Sequence, residues 1–137
     1  MSATTFISVA QKHLTDSLLL LEQKRFDNAA YLSGYVVESC LKALLDIDGM
    51  PSVKELGHEL PLMAGNALML GYALAPSRRR YGLAGTPDLD LLIKDWKPQS
   101  RYEKENTTTL ALAESRVKGA RAAYEQIVVA MILDGTN

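Results

Sequence analysis

Apolar residues recur at spacings of three and four along most of this 137-residue chain, which is the period of amphipathic α-helices. In the first such segment, residues 4–24, they form a single stripe made of Ile7, Ala10, Leu14, Leu18 and Leu21. One stripe is typical of a helix that packs one face against a core and leaves the other face to solvent. We therefore predict a first helix over residues 4–24.

The second segment, residues 27–48, carries two adjacent apolar stripes. The first consists of Ala29, Leu32, Val36, Cys40, Ala43 and Ile47, and the second of Ala30, Gly34, Val37, Leu41 and Leu44. Two stripes cover more than half of a helix circumference, so we expect this helix to lie in the centre of a bundle. Asp27 is predicted to cap its start, and Gly49 and Pro51 to end it.

Two further helices and a loop follow. Residues 58–72 are rich in Leu, Met and Ala and predict a third helix, whereas residues 73–85 contain Gly and Pro and predict a loop. The sequence Thr86-Pro87-Asp88 then predicts a short helix, because it combines a capping side chain, a proline at the first position and a carboxylate near the positive helix end. Its apolar face consists of Leu89, Leu92, Ile93 and Trp96.

The last helix is predicted to begin after Asn106, whose side chain can cap it. Its inner face consists of Leu110, Ala113, Val117, Ala120, Tyr124, Ile127 and Met131. No segment alternates with the period of a β-strand over a useful length, and neither a repeat nor a domain boundary is visible. We therefore predict one all-α domain over residues 1–137, an up-and-down bundle of four main helices plus a short additional helix.

Composition and charge narrow the classes of protein. The chain is 47% apolar and 23% charged, which is typical of a folded protein, and its net charge of −1 gives no overall attraction to nucleic acid or anionic lipid. Any binding of a polyanion must therefore come from a local patch. The apolar runs are too short for a bilayer and the N-terminus has no signal-peptide pattern, so we expect a cytoplasmic protein without membrane contact.

Cysteine and histidine give no sign of a metal site or a cofactor. Cys40 is the only cysteine, which excludes an intramolecular disulfide, and its place in an apolar pattern predicts a buried, inert thiol. The two histidines, His13 and His58, are far apart and lack the spacing of zinc ligands. We predict neither metal nor cofactor, and we expect His13 to pack against its neighbours.

A narrow polar strip interrupts the apolar surface of the second helix. It consists of Tyr31, Tyr35, Glu38 and Lys42. One hypothesis is that the strip faces a cleft and forms a small pocket for a phosphate or a base. The alternative is that Glu38 and Lys42 form a surface ion pair, which would contribute less than about 1 kcal/mol.

Several short motifs follow one another along the chain: Ala29-Ala30-Tyr31, Glu38, Leu41-Lys42-Ala43-Leu44-Leu45, Gly57-His58-Glu59-Leu60 and Ser100-Arg101-Tyr102. Their succession resembles the HEPN family. The resemblance implies a helical bundle that pairs into a homodimer. It also implies binding of RNA or a nucleotide, in a toxin–antitoxin or defence setting, with a nucleotidyltransferase as a partner.

Nucleases of this family carry an arginine and a histidine that are separated by four to six residues. Here Arg101 is followed at the shortest spacing by Asn106, and an amide cannot titrate, which argues against cleavage by the family's mechanism. If the chain is an enzyme, the resemblance implies a metal-independent RNase with Arg101, Asn106 and Glu38 as candidate catalytic residues. Alternatively, Arg101 forms a structural ion pair, Asn106 only caps a helix, and the chain is a non-catalytic dimeric protein-interaction module.

The remaining binding candidates lie outside the second helix. Tyr102 is expected to enter the same pocket as Arg101. His58 can bind a ligand because imidazole titrates near neutral pH, or it can cap or pack locally. Three consecutive arginines, Arg78, Arg79 and Arg80, precede Tyr81 and can follow a nucleic-acid backbone. The alternative for this cluster is a solvated loop that nearby aspartates neutralise.

Overall fold

The computed structural model describes residues 3–46, 60, 86–99, 104 and 106–135. Within these ranges the regular elements are helical and no β-strand occurs, which confirms the predicted all-α class. The helices are α1 (Ala3–Glu22), α2 (Phe26–Asp46), α3 (Pro87–Asp95) and α4 (Leu110–Ala123). A π-helical segment (Tyr124–Val129) and α5 (Ala130–Leu133) continue α4. The third helix predicted over residues 58–72 lies outside the described residues, except for Leu60, which is helical and buried.

A tight turn joins α1 to α2. The amide of Arg25 donates to the carbonyl of Leu20 at 2.8 Å and that of Lys24 to the carbonyl of Leu21 at 3.1 Å, which is the hydrogen-bond pattern of a Schellman motif. Lys24 adopts the left-handed conformation this motif requires, with φ of 61°. Helix α1 therefore ends at Glu22, two residues before the predicted end. So short a connection makes α1 and α2 an antiparallel pair.

Helix α2 is the central helix of the described structure, as its two stripes predict. Thirteen of its 21 residues are buried. It packs against α1 and against α4, and α4 in turn carries α3. Cys40, in the middle of α2, is fully buried, and burial raises the pKa of its thiol. The predicted burial of this thiol is confirmed.

The buried faces of α1 and α4 differ in part from the apolar stripes predicted for them. In α1, Ser17 is fully buried whereas Leu18 is 37% exposed, so the buried face turns away from the predicted line after Leu14. In α4, Leu110 is 50% exposed because it is the first residue of the helix, at the edge of the bundle. The inner face of α4 begins at Ala113 instead.

The start of α3 agrees with the prediction, and its position depends on α4. Thr86 caps the helix, with its hydroxyl accepting from the amide of Leu89 at 3.3 Å, and Pro87 follows as the first helical residue. Asp88 accepts a hydrogen bond from Ser115 Oγ at 2.7 Å and lies 3.6 Å from Lys118 Nζ. These contacts fix the first turn of α3 on α4.

The end of α3 is held by α2. Trp96, the residue after α3, is 5% exposed, and its Nε1 donates to the carbonyl oxygen of Tyr31 at 3.0 Å. A side chain at Gly34 would overlap the Trp96 ring, so the ring occupies space that only glycine leaves open. Among the described helices, none combines the length and the apolar character that crossing a bilayer requires.

Candidate functional site: a cationic cleft at the start of α2

A cavity of about 370 Å³ lies where four parts of the chain meet. These are the turn before α2 with the first residues of that helix, the end of α3, residues 104 and 106–108, and the first half of α4. Its volume lies near the lower end of the range found for small-molecule sites, roughly 300–1,000 Å³. We call it the cationic cleft, because of the side chains described next.

Five basic side chains line the cleft: Lys24, Arg25, Lys97, Lys104 and Arg116. Among the residues that the structure describes, two carboxylates, Asp27 and Asp95, line it with them. The ion pairs among the described residues involve other cations, Lys42, Lys118 and Arg121, so none of the five lies within ion-pair distance of a described carboxylate. The described lining, with five basic and two acidic side chains, therefore carries an excess of positive charge in a chain whose net charge is −1.

The wall of the cleft is aromatic and apolar. Phe26 and Tyr31 of α2 are half-buried there, and Leu112 of α4 is 40% exposed. The Tyr31 ring stacks on that of Trp96 with a centroid separation of 6.3 Å. Because Trp96 is almost fully buried, it supports the wall and contributes only an edge to the cleft.

Asp27 ties the segment before α4 to the start of α2. One carboxylate oxygen accepts from the amide of Thr108 at 2.9 Å, and the other accepts from the amide of Asn106. Asn106 has φ of 66°, a left-handed conformation that asparagine tolerates better than most residues. Asp27 therefore lies in the first turn of α2 and holds a distant segment, and its predicted role as the cap of α2 is wrong.

Asn106 does not cap the last helix either. The N-cap of α4 is Thr109, whose hydroxyl accepts from the amide of Leu112 at 3.2 Å. Asn106 lies three residues earlier, at the bend that brings residues 106–108 onto Asp27. The predicted capping role of Asn106 is thus wrong, and its position on the cleft lining is compatible with contact to a ligand.

Acid should release the contact that Asp27 makes. Desolvation opposes ionisation of Asp27, but hydrogen bonds from Thr108 and Asn106 outweigh it and lower the pKa of the carboxyl from its ordinary value of 3.8. A lowered folded-state pKa means that the ionised carboxylate stabilises the fold above pH 3.8, and that this contribution disappears as pH falls through the folded value. We expect Asp27→Ala to lower the free energy of unfolding by about 1–2 kcal/mol at neutral pH.

Urea unfolding measured between pH 7 and pH 2 checks this expectation. The difference between wild type and Asp27→Ala should shrink as the pH drops below 3.8 and should be smallest at pH 2. Glu114→Ala, which removes an exposed carboxylate from α4, is the control and should change stability little at any pH. A constant difference across the range would contradict a role for the ionised carboxylate.

The polar strip of α2 is covered by its neighbours. Tyr31 and Tyr35 are half-buried and their hydroxyls are 2.9 Å apart, with the rings edge to face. His13 of α1 covers Tyr35 from one side, at a centroid distance of 6.0 Å, and Trp96 covers it from another at 5.0 Å. The strip is therefore part of an aromatic cluster between helices.

Further along the strip, Lys42 Nζ lies 3.7 Å from Glu38 Oε2, and the two side chains are only 16% and 8% exposed. A surface ion pair is therefore the wrong description of this contact. Both groups are largely removed from water, so replacing either one alone would leave a charge in a poorly solvated place.

His13 packs as predicted, but its polar atoms are not all satisfied. Its Nδ1 is buried and has no hydrogen-bond partner in the part of the chain that the structure describes, and the same is true of Ser17 Oγ one turn later on α1. Desolvation by burial, with help from the charge of Lys12, lowers the pKa of His13 below its ordinary value of 6.5. Burial thus favours a neutral imidazole against Tyr35.

The predicted site residues divide between two places. Tyr31 and Asn106 line the cationic cleft. Asn106 is hydrogen bonded to Asp27, and Glu38 lies eleven residues beyond Asp27 on α2, which corresponds to about 16 Å along the helix axis. The structure therefore does not bring Glu38 and Asn106 together. Tyr35 and Lys42 follow Tyr31 along the strip. The other candidates, His58, Arg78, Arg79, Arg80, Arg101 and Tyr102, lie outside the described residues.

Sequence reasoning missed the five cations of the cleft. They come from four separate places in the chain, and only Lys24 and Arg25 are adjacent in sequence, so the sequence gives no signal for their convergence. Within the described part of the chain, no group of three or more His, Cys, Asp and Glu side chains is placed to hold a metal ion. Comparison of the chain with protein-family models, with curated proteins and with solved structures finds no match.

Proposed function

We propose that this protein binds RNA or a nucleotide, with its phosphates in the cationic cleft. The observation that carries the proposal is that five cations converge on one cavity. Among the residues that the structure describes, no carboxylate forms an ion pair with any of them. These five side chains are suited to bind phosphate groups, because lysine and arginine form charge-assisted hydrogen bonds with phosphate oxygens. The start of α2, which carries the positive end of a helix dipole, adds to the same field.

Binding without cleavage is the form of the function that the cleft supports best. RNA cleavage without a metal needs a group that takes up or gives a proton near neutral pH. No described residue of the cleft lining is a histidine, and Asn106 stands where the HEPN signature has one. We therefore propose a binding protein in a toxin–antitoxin or defence setting, with a nucleotidyltransferase as a partner, on the basis of the HEPN resemblance.

The test compares two double variants with equal changes in charge. Lys97→Gln with Lys104→Gln removes two cations from the cleft, whereas Lys94→Gln with Lys12→Gln removes two exposed lysines that do not line it. We expect the cleft variant to bind a single-stranded RNA and a nucleoside triphosphate about tenfold more weakly at ~0.1 M salt. The slope of log K against log salt for this RNA should become shallower by about 1.4, since each phosphate contact contributes about 0.7 for a single strand.

Binding is measured by fluorescence anisotropy with labelled RNA and by calorimetry with the nucleotide, in a chelating buffer. Equal losses in the two double variants would assign the binding to charge in general and reject the cleft. Intact RNA after incubation agrees with binding alone, whereas cleaved RNA would contradict that form of the proposal.

A second candidate is a non-catalytic dimeric protein-interaction module. Large apolar side chains on different described helices favour it, because Leu19, Leu91 and Leu133 are 54%, 46% and 81% exposed. The molar mass of the same preparation in solution separates the two candidates. A dimer that binds neither RNA nor nucleotide would support the module, whereas binding that depends on Lys97 and Lys104 would support the first candidate whatever the oligomeric state.

A further inference from the structure

Resting on the proposed function, we infer that the ligand of the cationic cleft is a free nucleoside di- or triphosphate, with its phosphates among the cations and its base against the Phe26–Tyr31 wall. Three properties of the cleft carry this choice: the arrangement of its cations, its size and the character of its wall. Each of them favours a compact ligand with several charges at one end and a flat apolar group at the other.

The cations are grouped around one cavity. Lys24 and Arg25 come from the turn before α2, Lys97 follows α3, and Arg116 belongs to α4. A polymer backbone is usually followed by cations that succeed one another along a groove. A convergent set from several elements instead suits a short chain of phosphates, whose charges are concentrated within a few ångströms.

The size of the cavity agrees with a single nucleotide. Its volume of about 370 Å³ lies near the lower end for small-molecule sites, as given above. A base would meet Phe26 and Tyr31, both half-buried and both beside the cations. Aromatic rings bind bases by stacking and do so without reading their sequence. The wall therefore gives a reason for a nucleotide to bind more tightly than phosphate groups alone.

The aromatic wall is also preorganised, because contacts within the protein hold Tyr31 before any ligand binds. The Nε1 of Trp96 is hydrogen bonded to the backbone of Tyr31 at 3.0 Å, and the Tyr31 hydroxyl lies 2.9 Å from that of Tyr35. A ring held by its neighbours loses little freedom when a ligand stacks on it, which favours affinity. Trp96 also gives a direct signal of binding, because it is the only tryptophan of the chain and it lines the cleft.

The experiment is a titration of Trp96 fluorescence, confirmed by calorimetry, with three probes in metal-free buffer: ATP, tripolyphosphate and a single-stranded RNA of twelve nucleotides without terminal phosphates. We expect ATP to bind at least tenfold more tightly than tripolyphosphate, and the RNA to compete only weakly with it. Arg116→Gln should weaken ATP and tripolyphosphate alike, by about fivefold or more, whereas Arg121→Gln, on the same helix but outside the cleft lining, should weaken neither.

The wall variants separate the base from the phosphates. Tyr31→Leu should weaken ATP about tenfold and leave tripolyphosphate unchanged. Phe26→Leu provides a second test of the wall if Tyr31→Leu lowers the melting temperature, and Tyr31→Phe, which keeps the ring, should retain most of the affinity. Equal affinity for ATP and tripolyphosphate would overturn the role of the wall. RNA that binds more tightly than ATP would overturn this inference and leave the proposed function standing, whereas failure of all three probes to bind would overturn both.

Discussion

Gly34→Ala should lower the free energy of unfolding by about 2–3 kcal/mol, although it adds a single methyl group. In the middle of a helix, alanine is normally favoured over glycine by about 0.5–1 kcal/mol, so helix propensity alone predicts the opposite sign. Gly34 differs because a Cβ built on it overlaps Cε2, Cδ2 and Nε1 of Trp96. The ring cannot simply rotate away, since it is hydrogen bonded to Tyr31 and packed against Tyr35.

The overlap can be tested by a double-mutant cycle with Trp96→Leu, which removes the ring. On that background Gly34→Ala should be neutral or stabilising by up to about 1 kcal/mol, because the helix preference remains while the obstacle is gone. In the single variant the fluorescence of Trp96 should shift to longer wavelength as the ring becomes exposed. Full destabilisation by Gly34→Ala in the absence of the ring would contradict this explanation.

The contact between Gly34 and Trp96 also matters for the cleft. Trp96 supports Tyr31 from behind, and the chain that follows it carries Lys97 to the rim. If Gly34→Ala displaces the ring, both the wall and a cation should therefore move. Packing between α2 and the end of α3 thus determines the shape of the candidate site, at a position where the sequence shows only a glycine within an apolar stripe.

The parts of the fold that the sequence predicts correctly depend on local chemistry. The two stripes of α2 follow from the helical period alone, and the start of α3 follows from Thr86 and Pro87, whose effects act within one turn. The end of α1 is different. Its turn places Lys24 in a left-handed conformation that usually takes glycine, so no stop signal is visible and the predicted helix runs two residues too far.

Asp27 and Asn106 show why capping residues can mislead. Each has a side chain suited to cap the helix beside it, and its neighbours in sequence predict that role. In the folded chain the carboxylate of Asp27 accepts from amides 79 and 81 residues away, and Asn106 supplies one of them. A partner so distant in sequence comes close only when the chain has folded. The same reason explains why the cations of the cleft escaped prediction.

Gly119→Ala is expected to be the second strongly destabilising change, by about 2 kcal/mol after the gain in helix propensity is subtracted. A Cβ at this position would lie 2.8 Å from the carbonyl oxygen of Asp88 and 3.1 Å from the Cα of Leu89. These are backbone atoms in the first turn of α3, so no side-chain rotation can make room. Helix α3 must shift away from α4, which strains the 2.7 Å hydrogen bond between Ser115 and Asp88.

Thermal and urea unfolding measure the loss, and Ser115→Ala is the matched control. It removes the hydrogen bond to Asp88 without adding an atom, so it should cost only about 1 kcal/mol. Because Lys97 follows α3 and Arg116 belongs to α4, a shift between these helices changes the spacing of two cations of the cleft. Gly119→Ala should therefore also weaken binding of ATP more than Ser115→Ala does, even at temperatures where both variants are folded. A Gly119→Ala protein as stable as wild type would mean that α3 and α4 do not approach as closely as these distances require.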